Sequence, residues 1–179
     1  GLRTIAQVLP STAIASLDLT RNHVCTWFSS GDDAAGLDGL DFSLAGLHAL
    51  SDAIPRCGLT ALSLRHNELS PAGAAVISTA LGNAGCSLIC VDLGWCALGS
   101  EGVGVIARTL PQTHALADLD LTGNVSADDG DEGGWVPLLA EALPRVQALR
   151  TLGLAANRLG YARIPSQLAI RQEQYLHGI

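Results

Sequence analysis

The sequence lacks several residue types, and each absence narrows the class of protein that it can encode. Methionine and lysine do not occur among the 179 residues, and aromatic residues make up only 4%. With 48% hydrophobic residues, the core must be built mainly from Leu, Ile, Val and Ala, which favours a regular, thin-walled architecture over a bulky globule. No apolar run reaches the roughly 18 to 20 residues that span a bilayer, so we expect no membrane contact.

Positive charge is scarce as well. Ten arginines stand against seventeen acidic residues, which gives a net charge of −7. Nucleic acid would meet a surface that is repulsive on average, so we expect no nucleic-acid binding. The charge balance favours another protein, with a basic surface, as the partner.

The five cysteines form no closely spaced disulfide framework, and several occupy places where an apolar core residue would serve. An odd number in such places favours reduced thiols in a cytoplasmic setting. Cys86, Cys90 and Cys96 lack the paired spacing of a zinc site, and nothing orients a base in a Cys25 and His23 pair. We therefore expect no metal, no cofactor, no catalytic residue and no enzymatic activity.

One phrase, apolar-x-x-apolar-x-Leu-x-x-Asn/Cys, recurs five times. Its alternation predicts a short strand whose leucines point inward. The last residue of each copy is expected to turn inward and bond backbone groups of the bend and of the neighbouring repeat, forming a structural ladder of Asn22, Asn67, Cys96, Asn124 and Asn157. The copies are Ile14–Asn22, Leu59–Asn67, Leu88–Cys96, Leu116–Asn124 and Leu149–Asn157.

A second phrase, an apolar helix end closed by Pro or Gly, falls between the copies. Strand and helix therefore alternate, and the strands are spaced 45, 29, 28 and 33 residues apart. The helix ends are Ile5–Pro10, Leu50–Pro55, Ile77–Gly82, Ile106–Pro111 and Leu139–Pro144.

A unit of about 28 or 29 residues with a full helix resembles the ribonuclease-inhibitor-like subfamily of leucine-rich repeats, whose relatives include NOD-like receptors and the Ran GTPase-activating protein. The resemblance implies an α/β fold, a curved solenoid with parallel strands on the concave face and helices on the convex face, over residues 1–160. Residues 161–179 would be a C-terminal cap or a degenerate repeat. Gly1 stands four residues before Ile5, where other repeats also carry Gly. We therefore expect the first of about five repeats to lack its strand and the chain to be a segment of a larger protein.

Two insertions interrupt the repeat, near residues 25–42 and 125–134, and together they hold eight of the seventeen acidic residues. They are either solvated loops or partner contacts at one edge of the solenoid. A calcium loop starting at Asn124 fails because Asp129 stands at the glycine position and Trp135 at the bidentate glutamate position. The candidate contacts are Trp27, Phe28, Asp128, Asp129 and Trp135.

The outward positions of the strands carry four aspartates, and we expect Asp92 and Asp120 to stand side by side and repel one another. This is either a solvated polar face or, as the resemblance implies, the surface on which a partner docks. The candidate partner-binding residues are Asp18, Arg65, His66, Asp92, Trp95, Asp118 and Asp120.

The interpretation favoured by these patterns is a protein-protein interaction module that binds through its concave face and edge insertions. One alternative is a scaffold subunit that packs through its convex face while the concave face stays empty. A second alternative is a GTPase activator of the Ran-activator type, which would need an Arg aimed at a nucleotide; Arg65 is the lone Arg among the outward strand positions.

Overall fold

The computed structural model describes residues 1–29, 40–126 and 134–159 as an α/β chain in which strands and helices alternate. Five helices are present in this part of the chain: α1 Leu2–Val8, α2 Ala45–Ala53, α3 Ser70–Leu81, α4 Gly99–Thr109 and α5 Trp135–Ala142. The strands are β1 Ser16–Asp18, β2 Thr26–Ser29, β3 Leu40–Ser43, β4 Ala61–Ser63, β5 Cys90–Asp92, β6 Asp118–Asp120 and β7 Thr151–Gly153.

Five strands form one parallel sheet in the order β1-β4-β5-β6-β7. The register aligns the central apolar residue of every repeated phrase: Leu17 faces Leu62, Leu62 faces Val91, Val91 faces Leu119 and Leu119 faces Leu152. The predicted parallel strands are therefore confirmed. Within the first insertion, β2 and β3 pair antiparallel. The sequence did not predict this pair of strands.

The core lies between the sheet and the helices. Leu62, Val91 and Leu119 are buried on the side that faces the helices, as are Ile77 and Ile106 on the helix side. Since a three-residue strand alone can cover none of these side chains, stacking of neighbouring repeats is what removes them from water, at about 1.5 to 3 kcal/mol each.

The helices end at the Pro or Gly residues that the sequence places there. After α1, α2, α4 and α5 the chain tightens into a 3₁₀ turn that begins with Leu-Pro or Ile-Pro, since Pro accepts the fixed φ of a first turn but offers no N–H to continue an α-helix. α3 instead runs to Leu81 and is capped by Gly82. Every repeat thus returns to the sheet from an equivalent point.

Four of the five phrase-ending residues lie between repeats, where each bonds the unit before it. The Asn124 amide oxygen accepts the backbone N–H of Cys96 at 2.9 Å and of Leu98 at 3.3 Å, and its nitrogen donates to the carbonyls of Leu93 and Leu121 at 2.8 and 2.9 Å. Asn67 and Asn157 are buried in the same role.

Cys96 keeps this pattern with a thiol in place of an amide, whereas Asn22 departs from it. Cys96 donates its thiol to the Leu64 carbonyl at 3.0 Å, and burial raises its pKa to about 12. The expectation for Asn22 needs correction: its side chain is exposed and donates only to the Thr20 carbonyl, at 3.2 Å. Within the described residues no strand lies on that side of β1, so Asn22 has no preceding unit to bond.

Among the described residues, no helix is long and apolar enough to cross a bilayer. The five cysteines are all free thiols. The expected terminal cap at 161–179 lies outside the described residues.

Candidate functional site

The sheet has one face without helices, called here the open face, and the outward side chains of the five strands lie on it. A shallow depression of about 450 Å³ runs across these strands. All four aspartates predicted from the sequence, Asp18, Asp92, Asp118 and Asp120, line it.

Three of these aspartates have a local structural task. Asp18, Asp92 and Asp120 each accept the backbone N–H of the residue two positions later, at 2.8 to 2.9 Å, which fixes the bend that follows the strand. The hydrogen bonds from Thr20 hold the pKa of Asp18 below its usual range. Sequence reasoning missed this role, although an Asp at the same strand end in three repeats is a signal that could have revealed it.

Arg65 lies across two neighbouring strands and joins their carboxylates. One of its terminal nitrogens, Nη1, lies 3.3 Å from Asp92 Oδ1 and 2.9 Å from Asp120 Oδ2. Burial alone would raise the pKa of Asp120, but hydrogen bonds from Thr122 and the Arg65 guanidinium outweigh it and hold that pKa below its usual range. The predicted repulsion between Asp92 and Asp120 is therefore relieved by a shared cation.

Glycines provide the room for this bridge. A Cβ on Gly94 would lie 2.4 Å from Arg65 Nη1, and a Cβ on Gly153 would lie 2.5 Å from Asp120 Oδ1. The guanidinium and the carboxylate both lie directly over backbone that carries no side chain. Replacing either glycine would therefore push the charged groups apart.

Asp118 differs from the other three aspartates because it makes no such bend. Its Oδ2 accepts the thiol of Cys90 at 3.3 Å. Hydrogen bonds from Thr151 and Cys90, together with the nearby charge of Arg150, keep the pKa of Asp118 below its usual range. It is thus a half-buried carboxylate on the open face that is charged at neutral pH.

A row of residues with left-handed backbone borders the open face. It holds the residue before each ladder position, and the φ angles lie between 55° and 70° whatever the side chain. We call it the turn row: Arg21, His66, Trp95, Gly123 and Ala156.

The centre of the turn row is aromatic. The rings of His66 and Trp95 stack with centroids 6.1 Å apart and planes inclined by 11°. The indole lies over Gly123, whose added Cβ would come within 2.5 to 2.7 Å of three ring atoms. Trp95 nevertheless keeps 46% of its surface exposed, so part of the indole remains accessible.

The open face carries more negative than positive charge. Its fifteen outward strand positions carry four Asp and one Arg, and that Arg is already paired. No group of three metal-ligating side chains occurs among the described residues. An exposed indole beside excess carboxylates suits a planar or cationic side chain of another molecule.

Of the predicted edge-insertion contacts, Trp135 is not part of this surface. Trp135 is the first residue of α5 and only 2% exposed, which corrects its assignment as a contact: it packs into the core where the helix starts. Trp27 and Phe28 lie in β2, opposite Phe42 and Asp41. Asp128 and Asp129 lie outside the described residues.

Comparison with known proteins gives the relationship of the chain. No protein-family model matches it. It is 40% identical over 111 residues to the human NACHT, LRR and PYD domains-containing protein 13, which covers 62% of this chain and 10% of that protein. It is 39% identical over 85 residues to the human NACHT, LRR and PYD domains-containing protein 12, covering 48% of this chain and 8% of that protein. The chain thus spans a tenth or less of the length of these relatives.

The fold is shared with the solved structure of leiomodin-1 actin-binding site 2, at a TM-score of 0.56 and 18% identity over 97% of this chain and 90% of that chain. At this identity the likeness concerns the fold alone. The sequence matches relate this chain to proteins that carry leucine-rich repeats.

Proposed function

We propose that the chain is a protein-binding segment of a curved leucine-rich-repeat solenoid of the ribonuclease-inhibitor-like subfamily, with the open face as its concave surface. Residues 1–160 would form the repeats. The observation that carries the proposal is the exposed indole of Trp95, stacked on His66, beside a surface with more carboxylates than cations. Aromatic side chains held flat by their neighbours are the usual anchors of protein interfaces.

The proposed partner presents a basic segment. Asp118 is charged and placed on the open face, whereas Arg65 is neutralised by Asp92 and Asp120 and adds no net positive charge there. A guanidinium of the partner could stack on the Trp95 ring and pair with a carboxylate of the same surface. Association would then weaken as salt increases.

The test uses peptides displayed on phage and selected for binding to the chain. We expect enrichment of Arg-containing sequences and a loss of binding of about 10-fold or more in the variant Trp95→Ala with Asp118→Asn. Neither change touches the aspartates that fix the strand ends. The matched control is Glu101→Gln with Glu141→Gln, which removes charge from two exposed helix positions and should leave binding unchanged.

The same two variants distinguish this proposal from the scaffold alternative. If selected peptides show no excess of basic residues, or if binding is lost in the helix variant and kept in the open-face variant, the proposal is wrong and packing through the helices is favoured. The GTPase-activator alternative receives no support from the geometry, because the Arg65 guanidinium is held by two carboxylates.

A further inference from the structure

Two cysteines occupy matching positions in neighbouring repeats. Cys57 stands five residues before Leu62 of β4, and Cys86 stands five residues before Val91 of β5. Leu62 and Val91 are direct partners in the parallel sheet. The two cysteines therefore share the register of β4 and β5, at the edge by which the chain enters these strands.

The turns that carry the two cysteines have the same local structure. The Cys57 N–H donates to the carbonyl three residues earlier, that of Ile54, at 3.3 Å. The Cys86 N–H donates in the same way to the Asn83 carbonyl at 2.9 Å. Since the same bond closes both turns, the two cysteines hold equivalent places in them.

The two turns are also in contact. A Cβ on Gly85, the residue before Cys86, would lie 2.9 Å from the carbonyl oxygen of Pro55 and 3.3 Å from its Cβ. One turn thus packs against the other with no side chain between them at this point. Neighbouring strands lie about 4.8 Å apart, and a disulfide joins Cα atoms that are about 4.4 to 6.8 Å apart. The stacked turns therefore hold the cysteines at about the spacing that a disulfide needs.

Both thiols are half-buried and pack against the rim of the core. The Cys57 thiol donates to the Ile54 carbonyl at 3.4 Å. Burial is the main cause that raises the pKa of Cys86, and the neighbouring Cys57 adds to the rise. The two thiols thus lie within range of each other's charge, and both can be reached from the surface.

We propose that Cys57 and Cys86 form a site of reversible oxidation, at which hydrogen peroxide converts the two thiols into a disulfide between neighbouring repeats. One thiolate attacks the peroxide, an S–O bond forms and the O–O bond breaks, and the products are a sulfenic acid and hydroxide. The second thiolate then attacks the sulfenic sulfur, so that the S–S bond forms, the S–O bond breaks and a second hydroxide leaves. The two protons given up by the thiols convert the two hydroxides into water, and one peroxide is reduced for each disulfide made.

The disulfide would close a ring of about 30 residues that contains β4, α3 and the turn with Arg65 and His66. Because such a ring restricts the unfolded chain, oxidation should make these two repeats harder to unfold. The cysteines precede the strands, whereas the turn row follows them. The site is therefore independent of the proposed partner-binding surface.

The test oxidises the folded chain with hydrogen peroxide at pH 8 in the variant Cys90→Ser, which removes the exposed thiol. Remaining thiols are alkylated in denaturant, and trypsin cleavage after Arg56 and Arg65 places Cys57 and Cys86 on different peptides. We expect mass spectrometry to find these two peptides joined, with fragment ions that place the bond at Cys57 and Cys86. A dithiol reductant should separate them, and the Tm of the oxidised chain should be about 5 °C or more above that of the reduced chain.

The matched control is Cys57→Ser in the same background. A hydroxyl is compatible with this turn position, because Thr12 and Thr113 hold it in other repeats and donate to the carbonyl three residues earlier at 2.8 and 2.7 Å. The control should fold, with a Tm close to that of the reduced chain. Peroxide should give it neither the joined peptides nor the rise in Tm.

Four outcomes would overturn the proposal. They are a bond that forms only when the chain is unfolded in urea, separate oxidation of the two thiols to sulfinic acids, a bond from either thiol to Cys25 or Cys96, and a Cys57–Cys86 disulfide that leaves the Tm unchanged or lowers it.

Discussion

Replacement of Asn124 by Ala should destabilise the chain far more than the same change at Asn22, which holds the equivalent position in the first repeat. Asn124 is buried and makes four hydrogen bonds to backbone groups of two repeats. Because each contributes about 1 kcal/mol net, and because the partners left behind stay buried, we expect a loss of about 4 kcal/mol. Asn22 makes a single exposed bond, so its loss should cost about 0.5 kcal/mol or less.

Urea unfolding at pH 7, followed by tryptophan fluorescence, to which the buried Trp135 contributes, measures this difference. With a slope of about 2 kcal/mol per molar urea, the midpoint should fall by about 2 M for Asn124→Ala and by about 0.3 M or less for Asn22→Ala. Unchanged slopes would show that both variants unfold in the same way. If the two midpoints lie within about 0.3 M of each other, the ladder is not what joins the repeats and the reasoning is refuted.

Three further predictions concern the open face and the thiols. The folded-state pKa of Asp120 is lowered, so its contribution to stability is present above its unfolded pKa of about 3.9 and is lost as the pH falls through the folded value. Asp120→Asn should therefore reduce the difference in urea midpoint between pH 7 and pH 3. An unchanged difference would exclude this carboxylate as a source of the pH dependence. Gly123→Ala should lower the free energy of unfolding by about 1 to 2 kcal/mol and displace the Trp95 indole, because φ is 70° and the added Cβ would overlap the ring. The control Gly58→Ala, whose added Cβ would have nothing within 4 Å, should have little effect in the same unfolding and fluorescence measurements. Cys90 is exposed and should be alkylated at pH 8 in the folded chain, while the buried Cys96, with a pKa of about 12, should react only after unfolding. Mass spectrometry at matched times measures the modification of each thiol, and equal modification would contradict the burial of Cys96.

The sheet could be predicted from the sequence because its determinants are local. Leu62 and Leu64 alternate within one strand, and Pro55 stops the preceding helix at a fixed distance from it. Once the five phrases are aligned, stacking in parallel register is the arrangement that buries all of them together. The same alignment predicts that Asp92 and Asp120 are neighbours, and they are.

The details of the open face could not be predicted because they depend on how far side chains reach between repeats. Arg65 pairs with carboxylates 27 and 55 residues away in sequence, and only a full register with side-chain geometry reveals that bridge. Trp135 shows the opposite failure. Its place beside an acidic insertion suggested exposure, but Trp135 is the first residue of α5 and its indole packs into the core.

The constant backbone of the turn row has a consequence for how this surface can change. Arg, His, Trp, Gly and Ala adopt nearly the same left-handed angle at successive positions, although a non-glycine residue bears about 1 kcal/mol or more in that conformation. The bend is therefore imposed by the strands and amides on either side of it rather than by the residue that occupies it. A side chain at this border can therefore be exchanged without a change of the bend, except at Gly123, where an added Cβ would overlap the Trp95 ring.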